Sequence, residues 1–312
     1  MFSIIIQVIL LIIGFVLLIK GAEYFVNGAS DIARILRVPA IIVGLTIVSL
    51  GTSAPEAAVS VIAAVGGNSA ISISNIIGSN MFNLLAVVGI SSLFGVISLK
   101  SNLIKLDIPF MIIVTILLTL IVFFTGGVSR IAGIGFLIIL CIYIYYLIHR
   151  EKKSEDAMKV EKPQYSKVMC IVYLILGLAG IVIGGQLVVN SATSIAEMFG
   201  LSQTLIGLTI VAIGTSLPEL ITSITAIHRD EDDIGIGNIV GSNIFNILFI
   251  VGLSSAISPL AISTVIVDLV ILIGVSVLCY VMAKIWKEYT WKQGLLLIAL
   301  FIVYMAFIII RN

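Results

Sequence analysis

Gly51-Thr52-Ser53-Ala54-Pro55-Glu56 returns 163 residues later as Gly214-Thr215-Ser216-Leu217-Pro218-Glu219. Each copy lies inside an apolar run, and each places a carboxylate directly after a proline. The surrounding sequence repeats at the same offset without gaps. Gly44-Leu45-Thr46-Ile47 recurs as Gly207-Leu208-Thr209-Ile210, and Asn75-Ile76-Ile77-Gly78-Ser79-Asn80-Met81-Phe82-Asn83 as Asn238-Ile239-Val240-Gly241-Ser242-Asn243-Ile244-Phe245-Asn246. Asn27 and Gly14 recur as Asn190 and Gly177. Two halves with one pattern imply two copies of one structural unit.

The composition sets the solvent of that unit. Of 312 residues only 11% are charged, 60% are apolar, and the mean hydropathy is +1.27. A soluble chain carries about 25% charged residues, so this chain cannot build a water-facing surface. Ten apolar stretches, near 3–26, 40–65, 71–95, 106–125, 131–148, 168–190, 203–227, 234–257, 262–283 and 291–310, each approach the ~20 residues that a spanning helix needs. Their apolar runs are continuous rather than alternating, which excludes a barrel. The expected fold is an all-α polytopic membrane protein. Residues 1–148 form a first five-helix repeat with its motif segment at 44–92. Residues 149–167 form a linker, and residues 168–312 form a second repeat with its motif segment at 207–255. Five spans per half is an odd number, so the second half enters the membrane inverted.

Lysine and arginine assign the sides. Arg34, Arg37, Lys100, Lys105, Arg150, Lys152, Lys153, Lys159, Lys162, Lys167, Arg229, Lys284, Lys287 and Lys292 fall on one side, and only Arg130 and Arg311 on the other. The basic side is read as cytoplasmic, in a cell membrane, with both termini outside and the 149–167 loop inside. Met1-Phe2-Ser3 lacks the basic start of a signal peptide, so the first stretch is read as a retained helix. A net charge of +1 leaves no footprint for nucleic acid. Cys141, Cys170 and Cys279 lie in apolar stretches and argue against a disulfide framework. No protein partner is implied beyond the lipid bilayer.

Of sixteen acidic residues, only Glu56 and Glu219 fall near the middle of a span. Glu23, Asp107 and Asp268 lie nearer span ends, where water or a headgroup is expected to reach them. A mid-membrane carboxylate costs at least ~2.5 kcal/mol and marks a functional site by default. No basic residue lies deep enough to pair with either glutamate, so the partner is a proton or a cation. Pro55 and Pro218 have no N–H for the carbonyls of Gly51 and Gly214, so each helix is expected to break just before its glutamate. Such breaks supply free carbonyls for small cations.

Ser49, Thr52, Ser53 and Glu56 share one helical face, as do Ala212, Thr215, Ser216 and Glu219. Asn75, Ser79 and Asn83, with Asn238, Ser242 and Asn246, add a second polar stripe from the next span of each half. Thr52, Ser53, Ser79, Asn83 and their mates are read as candidate ligands. Asn75, Asn80, Asn238 and Asn243 are read as interhelical glue. Gly78 and Gly241 are expected to allow close helix approach. The donors are all oxygen, which disfavours zinc and copper and suits hard cations. Calcium accepts six to eight oxygens in flexible geometry, whereas magnesium gives up water reluctantly. The run Asp230-Glu231-Asp232-Asp233 is read as a solvated acidic turn.

The paired Gly-Thr-Ser-x-Pro-Glu and Gly-Ser-Asn-x-Phe-Asn motifs resemble the two α-repeats of the cation/calcium antiporter superfamily, above all prokaryotic sodium/calcium exchangers. The resemblance covers nearly the whole chain. It implies a ten-helix exchanger in which sodium and calcium compete for overlapping sites. It makes Glu56 and Glu219 the principal calcium ligands, also binding sodium. Thr52, Ser53, Thr215, Ser216, Ser79 and Ser242 would supply further oxygens, and the carbonyls of Ser49 and Ala212 would bind sodium. The helices at 3–26 and 168–190 would slide over a fixed core. Some members carry Asp where this chain has Asn246, and in potassium-dependent relatives that Asp is tied to potassium, so potassium cotransport is not expected here. The central loop has no room for a calcium-sensing domain.

The expected activity is sodium/calcium antiport by alternating access, electrogenic and extruding calcium, with no cofactor. The alternative is calcium/proton antiport, because glutamates can release calcium by taking up protons. A membrane enzyme would need an intramembrane catalytic Asp pair, Ser/His pair or metal cluster, and His149 and His228 lie at loop margins. The repeat argues against a passive channel.

Overall fold

A computed structural model describes residues 2–36, 38–151, 163–199, 212–261 and 265–311. Arg37, Lys152, Lys153, Lys159, Lys162, the Gly207-Leu208-Thr209-Ile210 repeat and the starts of the spans expected at 203 and 262 lie outside the described residues. The helices are α1 (Phe2–Leu36), α2 (Ala40–Thr52), α3 (Ala54–Val65), α4 (Ser69–Phe94), α5 (Leu103–Thr125), α6 (Arg130–Glu151), α7 (Lys167–Met198), α8 (Ala212–Thr215), α9 (Leu217–His228), α10 (Asp232–Ile257), α11 (Ile266–Trp286) and α12 (Trp291–Arg311). Among the described residues, eight helices are long and apolar enough to cross a membrane. A ninth candidate is α2 with α3, two pieces bent by 50°.

The bundle is layered by burial. The apolar windows of α4 and α10 are 83% and 94% buried, whereas those of α1 and α12 are 17% buried and present aliphatic side chains outward. The two central helices pack by exchange: α12 lies against α4, and α6 against α10. A separate apolar cluster, with Leu18, Phe25, Ile181 and Val188 among its members, joins α1 and α7. That pair meets backbone to backbone. A methyl at Gly177 would stand 2.5 Å from the amide nitrogen of Phe25, and one at Gly21 would stand 2.7 Å from that of Ile181. Glycine permits this approach, as small residues do between membrane helices.

α1 and α7 run about ten residues past the limits expected for them. Nothing stops α1 before Pro39, and its polar end finds partners. Arg34 binds Asp31 at 2.8 Å and Glu231 at 3.1 Å, and Asp31 also accepts the Tyr165 amide at 2.7 Å. Glu231 and Asp233 are thus held by Arg34 and Lys100 rather than lying in a free acidic turn. Two short ribbons modify the all-helical expectation. β1 (Ile97–Ser98) pairs antiparallel with β4 (Glu288–Tyr289), and β2 (Gly127–Val128) pairs with β3 (Leu260–Ala261).

Asp107 and Asp268 correct the sequence reading. Asp107 is fully buried, accepting from Arg150 at 3.1 Å and from the Tyr143 hydroxyl at 3.1 Å. Asp268 is bound by Arg311 at 2.8 Å. In each half an arginine on the following helix reaches the aspartate and takes the place of water. Both pairs span 43 residues of sequence. They recur 161 residues apart (107 to 268, 150 to 311) rather than 163, so the second half is two residues shorter between its ribbon strand and this point. Removing one partner of a buried ion pair leaves an uncompensated charge. Arg150→Met should therefore destabilise the detergent-solubilised protein by about 3 kcal/mol. The half-exposed Arg311 should matter less when replaced by Met. Thermal melts of the two variants test that order, and adding Asp107→Leu to Arg150→Met should recover part of the loss.

Candidate ion-binding site

The proline breaks occur where the sequence puts them. Ser53 leaves the helix at φ −80°, ψ 8° between α2 and α3, and Ser216 does so at φ −94°, ψ 7° between α8 and α9. Each new helix starts with proline in its first turn, where the missing N–H costs nothing. Glu56 and Glu219 then follow in the first turn, near the positive end of the helix dipole. Both carboxylates are buried, with Glu56 at 0% and Glu219 at 1% exposure.

The two halves bind each other's glutamate. Ser216 Oγ donates to Glu56 Oε1 at 2.9 Å, and Ser53 Oγ donates to Glu219 Oε1 at 2.9 Å. Ser216 Oγ also lies 3.0 Å from Ser79 Oγ. Thr215 stands beside Glu56, and Thr52 and Ser242 beside Glu219. Thr52 Oγ1 donates to Asn238 Oδ1 at 2.9 Å. The Ser49 carbonyl accepts the Ser53 amide at 3.0 Å. Ala212, its counterpart, is the first described residue of α8.

Several polar atoms of the cluster are left unpaired, and most of them are acceptors. Glu56 Oε2, Glu219 Oε2, Ser242 Oγ, Asn246 Oδ1 and both amide atoms of Asn83 are buried with no hydrogen-bond partner among the described residues. No described lysine, arginine or histidine pairs with either glutamate. A buried acceptor left bare costs about 1–3 kcal/mol, and a charged one more. Hydroxyl, amide and carboxylate oxygens gathered in this way suit a hard cation. Asn83 and Asn246 stand where helical turns of α4 and α10 widen to π geometry, over Phe82–Val87 and Asn246–Val251. Such turns are frequent at functional sites.

Comparison with known proteins gives the same answer. The family model described as "Sodium/calcium exchanger protein" matches residues 6–149 and 169–310. The chain belongs to the sodium/calcium exchanger family. An uncharacterized membrane protein of Methanocaldococcus jannaschii is 34% identical over 295 residues, 95% of each chain. The sodium/calcium exchanger MaX1 of Methanosarcina acetivorans is 28% identical over 97% of each chain. The solved structure of the sodium-calcium exchanger NCX_Mj superposes with a TM-score of 0.86 at 33% identity, covering 98% of this chain and 99% of that one. This exchanger-family chain is thus a multi-pass membrane transporter, and its family is one of antiporters.

The asparagines read as glue do brace the helices. Asn75 Nδ2 donates to Ser60 Oγ at 2.9 Å and reaches the Glu56 carbonyl at 3.4 Å. Asn238 Nδ2 donates to Ser223 Oγ at 3.0 Å and reaches the Glu219 carbonyl at 3.4 Å. Asn246 donates to Asn80, and Asn80 donates to the carbonyl of Asn243, its own repeat mate. The sequence reading did not single out Ser60 and Ser223. Their signal was present, since each lies four residues after its glutamate and they recur at the common offset. α10 reaches the site by close contact with α2. A methyl at Gly241 would stand 2.7 Å from both the Leu45 carbonyl and Ser49 Oγ. Gly241→Ala should push these helices apart and reduce transport strongly, read as ion flux in reconstituted vesicles, while the purified protein stays monodisperse.

Proposed function

We propose that this protein exchanges sodium for calcium across a cell membrane by alternating access. The observation that carries the reading is the buried pair Glu56 and Glu219, each bound on one oxygen by a serine of the other half and bare on the second. Glu56, Glu219, Thr52, Thr215, Ser53, Ser216, Ser79, Ser242, Asn83, Asn246 and the carbonyls of Ser49 and Ala212 form the site. Two carboxylates neutralise one calcium ion. Several sodium ions and a calcium ion together exceed the charge that the site can hold, so each displaces the other. Exchange of more than two sodium ions per calcium moves net charge and responds to voltage by ~2.3 kcal/mol per charge per 100 mV. An inward sodium gradient then expels calcium.

The architecture of this reading is ten spans in two inverted repeats, both termini outside and the 149–167 linker in the cytoplasm. The ribbons support it. β1 follows the third span and β4 the ninth, so six crossings separate two strands that must lie at one face to pair. β2 and β3 are separated by four. Both counts are even only if the segment containing α8 and α9 crosses the membrane once. The ties from Arg34 and Lys100 to the α9–α10 turn likewise join loops that this topology puts on the basic side.

Vesicles reconstituted with the protein and preloaded with sodium should take up calcium when external sodium is removed, and faster with an inside-positive potential, because more than two sodium ions leaving per calcium entering carries net positive charge outward. Glu56→Gln and Glu219→Gln should each abolish uptake while the protein stays folded. Near-normal flux in either variant sinks the site. Uptake driven by a pH gradient but not by sodium makes the protein a calcium/proton antiporter instead.

A further inference from the structure

Thr52 is the point where a ligand of one half meets a brace of the other. A hydroxyl ligates a cation through its lone pairs, so its proton must point elsewhere. Thr52 Oγ1 lies 2.9 Å from Asn238 Oδ1 and 3.4 Å from the Ser49 carbonyl, and beside the Glu219 carboxylate. The Asn238 contact falls within the usual O–H···O range and the Ser49 contact beyond it, and Glu219 Oε2 has no hydrogen-bond partner among the described residues, so the proton goes to Asn238.

The orientation of Asn238 is fixed by its other end. Its Nδ2 faces the Ser223 hydroxyl at 3.0 Å and the Glu219 carbonyl at 3.4 Å. Flipping the amide would set Oδ1 against a carbonyl oxygen that cannot donate. Ser223 in turn donates to the Gly235 carbonyl at 3.3 Å. Protons therefore run one way, from Thr52 to Asn238 to Ser223 to Gly235, while Asn238 Nδ2 also reaches the backbone carbonyl of Glu219. Asn238 is completely buried, so water does not compete for these bonds. Thr52 then keeps its lone pairs free, and Oε2 of the neighbouring Glu219 has no hydrogen-bond partner among the described residues.

We infer that Asn238 is a positioning residue of the transport site, which takes up the Thr52 hydroxyl proton, fixes the turn that carries Glu219, and so makes Thr52 a cation ligand. This rests on the reading of the glutamate pair as the transport site. Asn238 touches no ion itself. It acts as outer partners of metal ligands do, whose loss costs about 10–100-fold in affinity.

The test is a double-mutant cycle in reconstituted vesicles, using Asn238→Leu, Thr52→Val and the pair, with the calcium concentration at half-maximal exchange as the readout. Asn238→Leu should raise that concentration about tenfold or more in the parent protein. In the Thr52→Val background the same change should add much less, because the hydroxyl that it orients is gone. An equal fold-change in both backgrounds overturns the inference and makes Asn238 a packing residue. Parent-like calcium affinity in Asn238→Leu overturns it as well. If the leucine variant fails to fold, Asn238→Ala is run through the same cycle with the same criteria. Absence of sodium- or proton-driven calcium flux in the parent would instead strike the transport reading itself.

Discussion

Two carboxylates at the centre of a low-dielectric bundle, without a cation among the described residues to neutralise them, set the terms for the rest of this structure. The described residues satisfy each glutamate only by half. One oxygen receives a serine hydroxyl from the opposite repeat, and the other receives no hydrogen bond from them. Filling both oxygens with protein donors would have made a stable core of no use to an ion. Leaving both bare would have been costlier still. The intermediate arrangement keeps the centre rich in acceptors, and it ties the two repeats together through the glutamates themselves.

That arrangement needs backbone where a spanning helix normally has none to offer. Proline after the break removes one intrahelical bond, and the serine before it takes non-helical angles, so the turn opens and the next helix begins with glutamate at its positive end. The breaks would be expensive beside lipid, where an unsatisfied backbone group costs several kcal/mol. They are sheltered by α4 and α10, the most buried helices of the bundle. Gly241 explains how α10 comes near enough to give that shelter, since any side chain there would strike the Leu45 carbonyl.

The repeat made the centre legible in sequence, because two matched glutamates and two matched prolines constrain each other. The helix breaks, the polar faces and the bracing asparagines followed from spacing alone. The periphery was less legible. Hydropathy marks where lipid ends, not where a helix ends, so the polar continuation of α1 and α7 was missed. Asp107 looked solvated because its partner Arg150 is 43 residues away and only the fold brings them together. The division of labour between Thr52 and Asn238 was hidden for a related reason. Residue types and offsets list possible donors, but the direction of a hydrogen bond depends on which acceptor lies nearer.

Selectivity and movement fall on different parts of the molecule. The oxygens of the proposed site come from α2, α3, α4, α8, α9 and α10 and the breaks between them, and none of the proposed ligands belongs to α1 or α7. The latter two share an apolar cluster with Val43 and Val48 of α2, Ala226 of α9 and Ile234 of α10, and meet each other through glycine. Several of their contacts with the broken helices are apolar. The Phe25 ring lies on Gly51, Val189 lies on Gly214, and Pro218 lies beside Gly185. Apolar contact has no directional preference, so these surfaces resist sliding far less than hydrogen-bonded ones would. Directional bonds between α1 and the rest gather at its end, where Asn27, Ser30 and Arg34 meet Arg229 and Glu231. A shift of the α1–α7 pair therefore strains a few exposed or half-buried polar ties at one end. It leaves intact the bonds that orient Glu56, Glu219 and Thr52, so in the proposed alternating access the site's oxygens keep their arrangement while the α1–α7 pair moves.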